Sequence, residues 1–120
     1  MKMNWYKMAK SNKYIRLWLD DERDPTRPEI QNKFGAQGNE IWIKTVDEAI
    51  EYLKQGNVEH ISFDNDLGEG EKEGYQLAKW IEEQAYLKQL SKIEWNVHSQ
   101  NPPASLSISA AMSQADKFWG

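Results

Sequence analysis

The chain has 120 residues, 39% of them hydrophobic and 28% charged, which is one domain's worth of core. It holds no apolar run long enough to span a bilayer and no cysteine, which excludes a membrane span, disulfides, thiol catalysis and cysteine-ligated zinc or iron–sulfur clusters. The formal net charge of −4 excludes the general basic surface that duplex DNA demands.

Residues 1–13 carry Lys2, Lys7, Lys10 and Lys13 but lack the apolar stretch of a secretory signal, so a solvated basic tail and a cytoplasmic location are expected. Residues 14–120 read as a single domain. Tyr14 to Leu19 is apolar and aromatic, predicts a strand, and stops at Asp20-Asp21. Asp24 to Glu40 holds two prolines, two glycines and no apolar stripe, and is expected to be a loop. Ile41 to Ile43 predicts a second short strand. Thr45 and Glu48 then form a capping box ahead of Val46, Ala49, Ile50 and Leu53, one helical stripe that Gly56 ends. Ile61 to Phe63 predicts a third strand, again stopping at an aspartate. A helix from about Gly74 to Lys88 follows, with Leu77, Ala78, Ile81 and Ala85 as its buried face. Ile93 to Val97 alternates apolar and polar residues, predicts a fourth strand, and stops at His98-Ser99. After Pro102-Pro103 the segment SLSISAAMSQADKF predicts a weaker helix.

Strands alternating with helices imply a parallel sheet with right-handed crossovers. In the first strand Ile15, Leu17 and Leu19 share a face opposite Arg16 and Trp18; in the fourth, Ile93, Trp95 and Val97 oppose Glu94 and Asn96. Strands covered on both faces are usually apolar on both, so helices mainly on one face and a partly bare second face are expected. Trp5 and Tyr6 of the tail, or a second subunit in a homodimer, would cover the bare side.

Three predicted strands end in polar clusters: Asp20-Asp21-Glu22-Arg23, Asp64-Asn65-Asp66 and His98-Ser99-Gln100-Asn101. In a parallel sheet these ends lie on one edge, where ligands bind. Three carboxylates brought close together repel one another unless a cation intervenes. Oxygen-rich sites of this type suit Mg²⁺ or Mn²⁺. Arg23 offers a fork for a phosphate, and Ser99 a hydroxyl donor. Taken singly, each piece has a plainer reading: Asp–Asp at a strand end is more often a turn or a cap, and a lone histidine such as His98 is more often structural. His60 begins a strand and has no assigned role; the six tryptophans read as core and interface mass. It is the convergence of three clusters on one edge that points to a metal and phosphate site.

With those residues in view, the chain resembles a response-regulator receiver domain and, more narrowly, the cyclic-phosphate processing receiver domains. The resemblance lies in LWLDDERDP (17–25), TVDEAIEYL (45–53), HISFDNDLG (60–68), GYQLAKWIE (74–82) and VHSQNP (97–102). It implies a truncated receiver-like (flavodoxin-like) α/β fold of about four parallel strands in the order 2-1-3-4. It also implies that Asp20 and Asp21 are the acidic metal-binding pair, with Asp64 in the place of the phospho-accepting aspartate and Ser99 in that of the hydroxyl residue after the fourth strand. His98 and Asn101 match the narrower family's own motif. The sequence departs from the family at Asn65, where a histidine is usual, and no fifth strand ending in a lysine is found, which weighs against a conventional phosphorelay switch.

The leading expectation is therefore metal-dependent hydrolysis of a cyclic phosphate on a nucleotide or RNA end. Asp20, Asp21 and Asp64 would hold Mg²⁺ or Mn²⁺, with Asp64 alternatively attacking phosphorus itself. His98 would act as general acid, and Arg23, Ser99 and Asn101 would position the phosphate. The alternatives are a binding or sequestering module for a cyclic nucleotide or phosphate without turnover, and a divergent phospho-receiver.

Overall fold

The computed structural model describes residues 14–120, so the expectations for Trp5, Tyr6 and the basic tail lie outside the described residues. Four parallel strands, β1 (Ile15–Leu19), β2 (Ile41–Ile43), β3 (Val58–Phe63) and β4 (Glu94–Val97), form one sheet in the order β2-β1-β3-β4. Four helices connect or follow them: α1 (Pro28–Phe34), α2 (Val46–Lys54), α3 (Gly74–Tyr86) and α4 (Pro102–Trp119). This is the receiver-like, flavodoxin-type arrangement expected from the sequence.

Strand register explains where the core lies. Leu17 pairs with Ile41 and Ile61, Leu19 with Ile43 and Phe63, and Phe63 with Val97. Partners in a parallel ladder point the same way, so these residues build one apolar face. The stripes of α2 (Val46, Ala49, Leu53), α3 (Leu77, Ala78, Ile81, Ala85) and α4 (Ile108, Ala111, Met112, Ala115) are buried in the same cluster. Three helices therefore cover one face of the sheet. The opposite face carries the row Trp42, Trp18, Ser62 and Asn96, and Glu94 and Asn96 on it are exposed. The alternation in β4 arises from this one-sided cover.

The segment expected to be an unbroken loop contains α1, a correction to the sequence reading. Pro28 stands at its first position with φ preset for a helix, Glu29 lies in the first turn and Lys33 in the last. Gly35 ends it at φ 85°, donating its N–H to the Gln31 carbonyl. None of its residues is buried. Only Ile30, Gln31 and Phe34 are even half-buried, too few apolar positions for a sequence pattern to reveal a stripe.

Helix α3 is set by a close approach rather than by a stripe alone. Gly74 N–H donates to the Asn65 carbonyl at 2.9 Å, and a Cβ on Gly74 would overlap the Asp64 carbonyl oxygen. The Asn65 side chain accepts from Tyr75 N–H at 3.0 Å and donates to Asp66 at 3.3 Å. The start of α3 is thus clamped onto the chain that leaves β3, which carries Asp64.

Candidate metal and phosphate site

The ladder continues one step past three strand ends. Asp20 N–H donates to the Ile43 carbonyl, Asp64 N–H to Leu19 and His98 N–H to Phe63, at 2.9–3.0 Å. By strand alternation Asp20 follows Trp18, Asp64 follows Ser62 and His98 follows Asn96 on the polar face. Three chemically active side chains are therefore delivered to one spot by the same parity that leaves this face polar.

One oxygen from each of Asp20, Asp21 and Asp64 lies within 4.8 Å of the others. Asp20 and Asp64 are buried and Asp21 is half-buried. The guanidinium of Arg23 bridges the two buried carboxylates, with Nη1 3.1 Å from Asp20 Oδ2 and 3.5 Å from Asp64 Oδ2. Its Nη2 donates to Gln100 Oε1 at 3.1 Å, and its plane lies over the Phe34 ring, 4.5 Å from the centroid. Phe34, at the end of α1, thus orients the guanidinium in direct contact with the pair.

Burial acts most strongly on Asp20 and on its own would raise its pKa. It is outweighed by hydrogen bonds from His98, from the Glu22 and Arg23 N–H groups and from the Arg23 guanidinium, which together hold the carboxyl at about 2. Asp64 moves the other way. Burial pushes it up, the Asp20 charge adds to that, and the Asn65 N–H, His98 and Arg23 offset only part. An ionised Asp20 beside a carboxyl disfavoured from ionising is a site short of positive charge. All three side chains offer hard oxygen donors, and Arg23 already meets part of the same demand, so the residues present fit a hard divalent cation such as Mg²⁺ or Mn²⁺.

His98 is brought to the site but has protein partners on both ring nitrogens. Nε2 lies 3.0 Å from Asp20 Oδ2, and Nδ1 lies 2.7 Å from Ser62 Oγ, which accepts from Asn96 Nδ2 at 3.0 Å. One set of protons satisfies every group: Asn96 donates to Ser62, Ser62 to Nδ1, and Nε2–H to Asp20. The ring stacks on Trp18 at 3.9 Å between centroids and 6° between planes, with Phe34 at its edge. Its side chain is 1% exposed.

Of the remaining expected residues, Ser99 Oγ accepts from Asn101 N–H at 3.1 Å, and Asn101 Oδ1 caps α4 by accepting from Ala104 N–H at 3.2 Å. An open cavity of about 680 Å³ lies over the site, walled by Asp21, Arg23, Asp64, Gln100 and Asn101 among others. Asp20 and His98 lie behind it. Sequence reading passed over four contributors to this geometry: Trp18, Ser62, Phe34 and Gln100. Counting strand parity on to Asp20, Asp64 and His98 would have found the first two. Phe34 lay in a segment expected to be a loop, and Gln100 carried no signal beyond its place in a polar cluster.

Comparison with curated proteins gives no match. A family model described as the cyclic-phosphate processing receiver domain matches residues 15–114, which takes in all four strands and every residue of the acidic site. On that match, and with a four-stranded 2-1-3-4 sheet presenting its acidic cluster at the strand ends, the chain belongs to the cyclic-phosphate processing receiver domain family.

Proposed function

We propose that this chain carries out metal-dependent hydrolysis of a cyclic phosphate on a nucleotide or RNA end, in the cavity over Asp21, Arg23 and Asp64. The observation that carries the reading is the convergence of Asp20, Asp21 and Asp64 within 4.8 Å beside a single guanidinium. These three carboxylates would hold Mg²⁺ or Mn²⁺. Bound there, such an ion neutralises phosphate charge and lowers the pKa of water.

In the reaction, a water oxygen adds to phosphorus, one ribose P–O bond breaks, and a proton passes to the departing ribose oxygen. Asp64 is the residue assigned to the reacting atoms. It faces the cavity, accepts from Asn65 N–H at 2.8 Å and lies 3.5 Å from Arg23, so lone pairs remain for a cation or an attacking water. Arg23 would grip the phosphate through its fork, with Asn101 in the same cavity wall and Ser99 bonded to Asn101 N–H behind it. A direct proton-donor role for His98 needs a nitrogen open to the cavity. The geometry instead supports His98 as a positioning residue that fixes Asp20 from behind.

That same enclosure of His98 favours a second reading, a module that binds a cyclic phosphate without turnover. One experiment separates them. The purified chain is incubated with a nucleotide and an RNA oligonucleotide bearing 2′,3′-cyclic phosphates, in Mg²⁺, Mn²⁺ or EDTA, beside Asp64→Asn. Ring opening that requires both metal and Asp64 is the expected result. Metal-dependent binding without ring opening would establish the binding module, and neither would remove the site reading.

A further inference from the structure

The cavity over the site is acidic far beyond what one cation needs. Asp21, Glu22, Asp66, Glu69, Glu71 and Glu73 line it, with Asp64 at the floor. Against these seven carboxylates, Arg23 is the only basic residue in the walls among the described residues. Lys72, between two of the rim glutamates, is drawn away to Asp47, 2.8 Å from its Nζ. Even a bound divalent ion leaves the walls with about four formal negative charges, most of them exposed and clustered on one loop.

We infer that this rim selects its substrate by charge. Resting on the reading under Proposed function, the site takes a mononucleoside cyclic phosphate and rejects the end of an RNA chain. A mononucleoside cyclic phosphate carries a single negative charge, which Arg23 and one divalent ion accommodate. Each further nucleotide adds a phosphodiester that lysines or arginines normally neutralise. Here it would meet Glu22, Asp66, Glu69 and Glu71. The space agrees: 680 Å³ falls within the usual range for a pocket holding one small ligand.

Full-length chain in Mg²⁺ is given a nucleoside 2′,3′-cyclic monophosphate and a trinucleotide ending in the same nucleoside and ring, at low and high ionic strength. At low salt the trinucleotide should show kcat/KM lower by about tenfold or more, the scale of a few charges acting across about 10 Å of water. Added salt should narrow the gap, and the Glu69→Gln/Glu71→Gln variant should narrow it at low salt while changing the mononucleotide rate far less. Equal rates at low salt, or a gap indifferent to salt and to those substitutions, would overturn the charge selection. If neither compound is turned over, hydrolysis fails, and the rim is judged by calorimetric binding of the same two ligands. Tighter binding of the mononucleotide upholds charge selection, and equal or weaker binding overturns it.

Discussion

Asp20 and Asp64 are bridged by one guanidinium, yet their surroundings push them in opposite directions, and stability should follow each with opposite sign. Asp20 falls from an ordinary 3.8 to about 2 on folding, so its ionised form stabilises the fold by about 2 kcal/mol above pH 4. That contribution is lost as pH falls through the range between the two values. Urea unfolding of the wild type and Asp20→Asn should therefore differ at neutral pH and converge near pH 2. His98→Ala removes one of the donors that lowers the Asp20 pKa, so the acid limb of the stability curve should be smaller and should level off at a higher pH. Loss of ring packing alone would lower the curve without moving that limb. Asp64 is raised on folding. Its favourable effect is present below the unfolded value and lost as pH rises through the folded one, so at pH 7 its charge costs stability. Asp64→Asn in EDTA should stabilise the chain by about 1 kcal/mol, on the scale of a single substitution; a destabilised variant would mean that Arg23 already compensates the pair in full.

The turn between β3 and α3 decides whether Asp64 is held in place. Gly74 has no room for a methyl group against the Asp64 carbonyl. Gly74→Ala should cost about 1–3 kcal/mol in urea unfolding, as overpacking does, and should weaken Mg²⁺ binding because the backbone of Asp64 must move. Asn65→Ala leaves Tyr75 N–H without its acceptor and should cost about 1–2 kcal/mol by the same measurement. Neither effect was legible in the sequence, where Asn65 stood out for its departure from a family histidine and Gly74 as a helix start. What was legible had a period or a cap. The forward half of the Thr45–Glu48 box forms as expected, with Glu48 N–H donating to Thr45 Oγ1 at 3.1 Å, while the Glu48 carboxylate reaches back past the cap to accept from Lys44 N–H at 3.0 Å. The four buried positions expected on α3 are all buried. Helix α1 and the Trp18–His98 stack were not legible, because one buries no residue fully and the other joins residues far apart in sequence.

At the scale of the whole molecule, strand order and site are one fact. The order β2-β1-β3-β4 places β1 and β3 side by side, so their two C-terminal aspartates must meet and the cluster can form only in the folded chain. The unfolded chain scatters Asp20, Asp21 and Asp64 over 44 positions of sequence and has no comparable affinity for a cation. Binding should therefore raise global stability by mass action, by about 2.7 kcal/mol at a hundredfold excess over Kd. For a chain of this size each kcal/mol moves Tm by about 4 °C, which gives a rise of about 10 °C. Thermal unfolding should show this rise with Mg²⁺ or Mn²⁺, reverse it with EDTA, and show it much reduced in Asp64→Asn, although that variant starts from the higher metal-free Tm. The crossing of the two curves is the informative signature. A nonspecific ionic effect on an acidic protein would shift wild type and variant in parallel, and a parallel shift would remove the cation from the site.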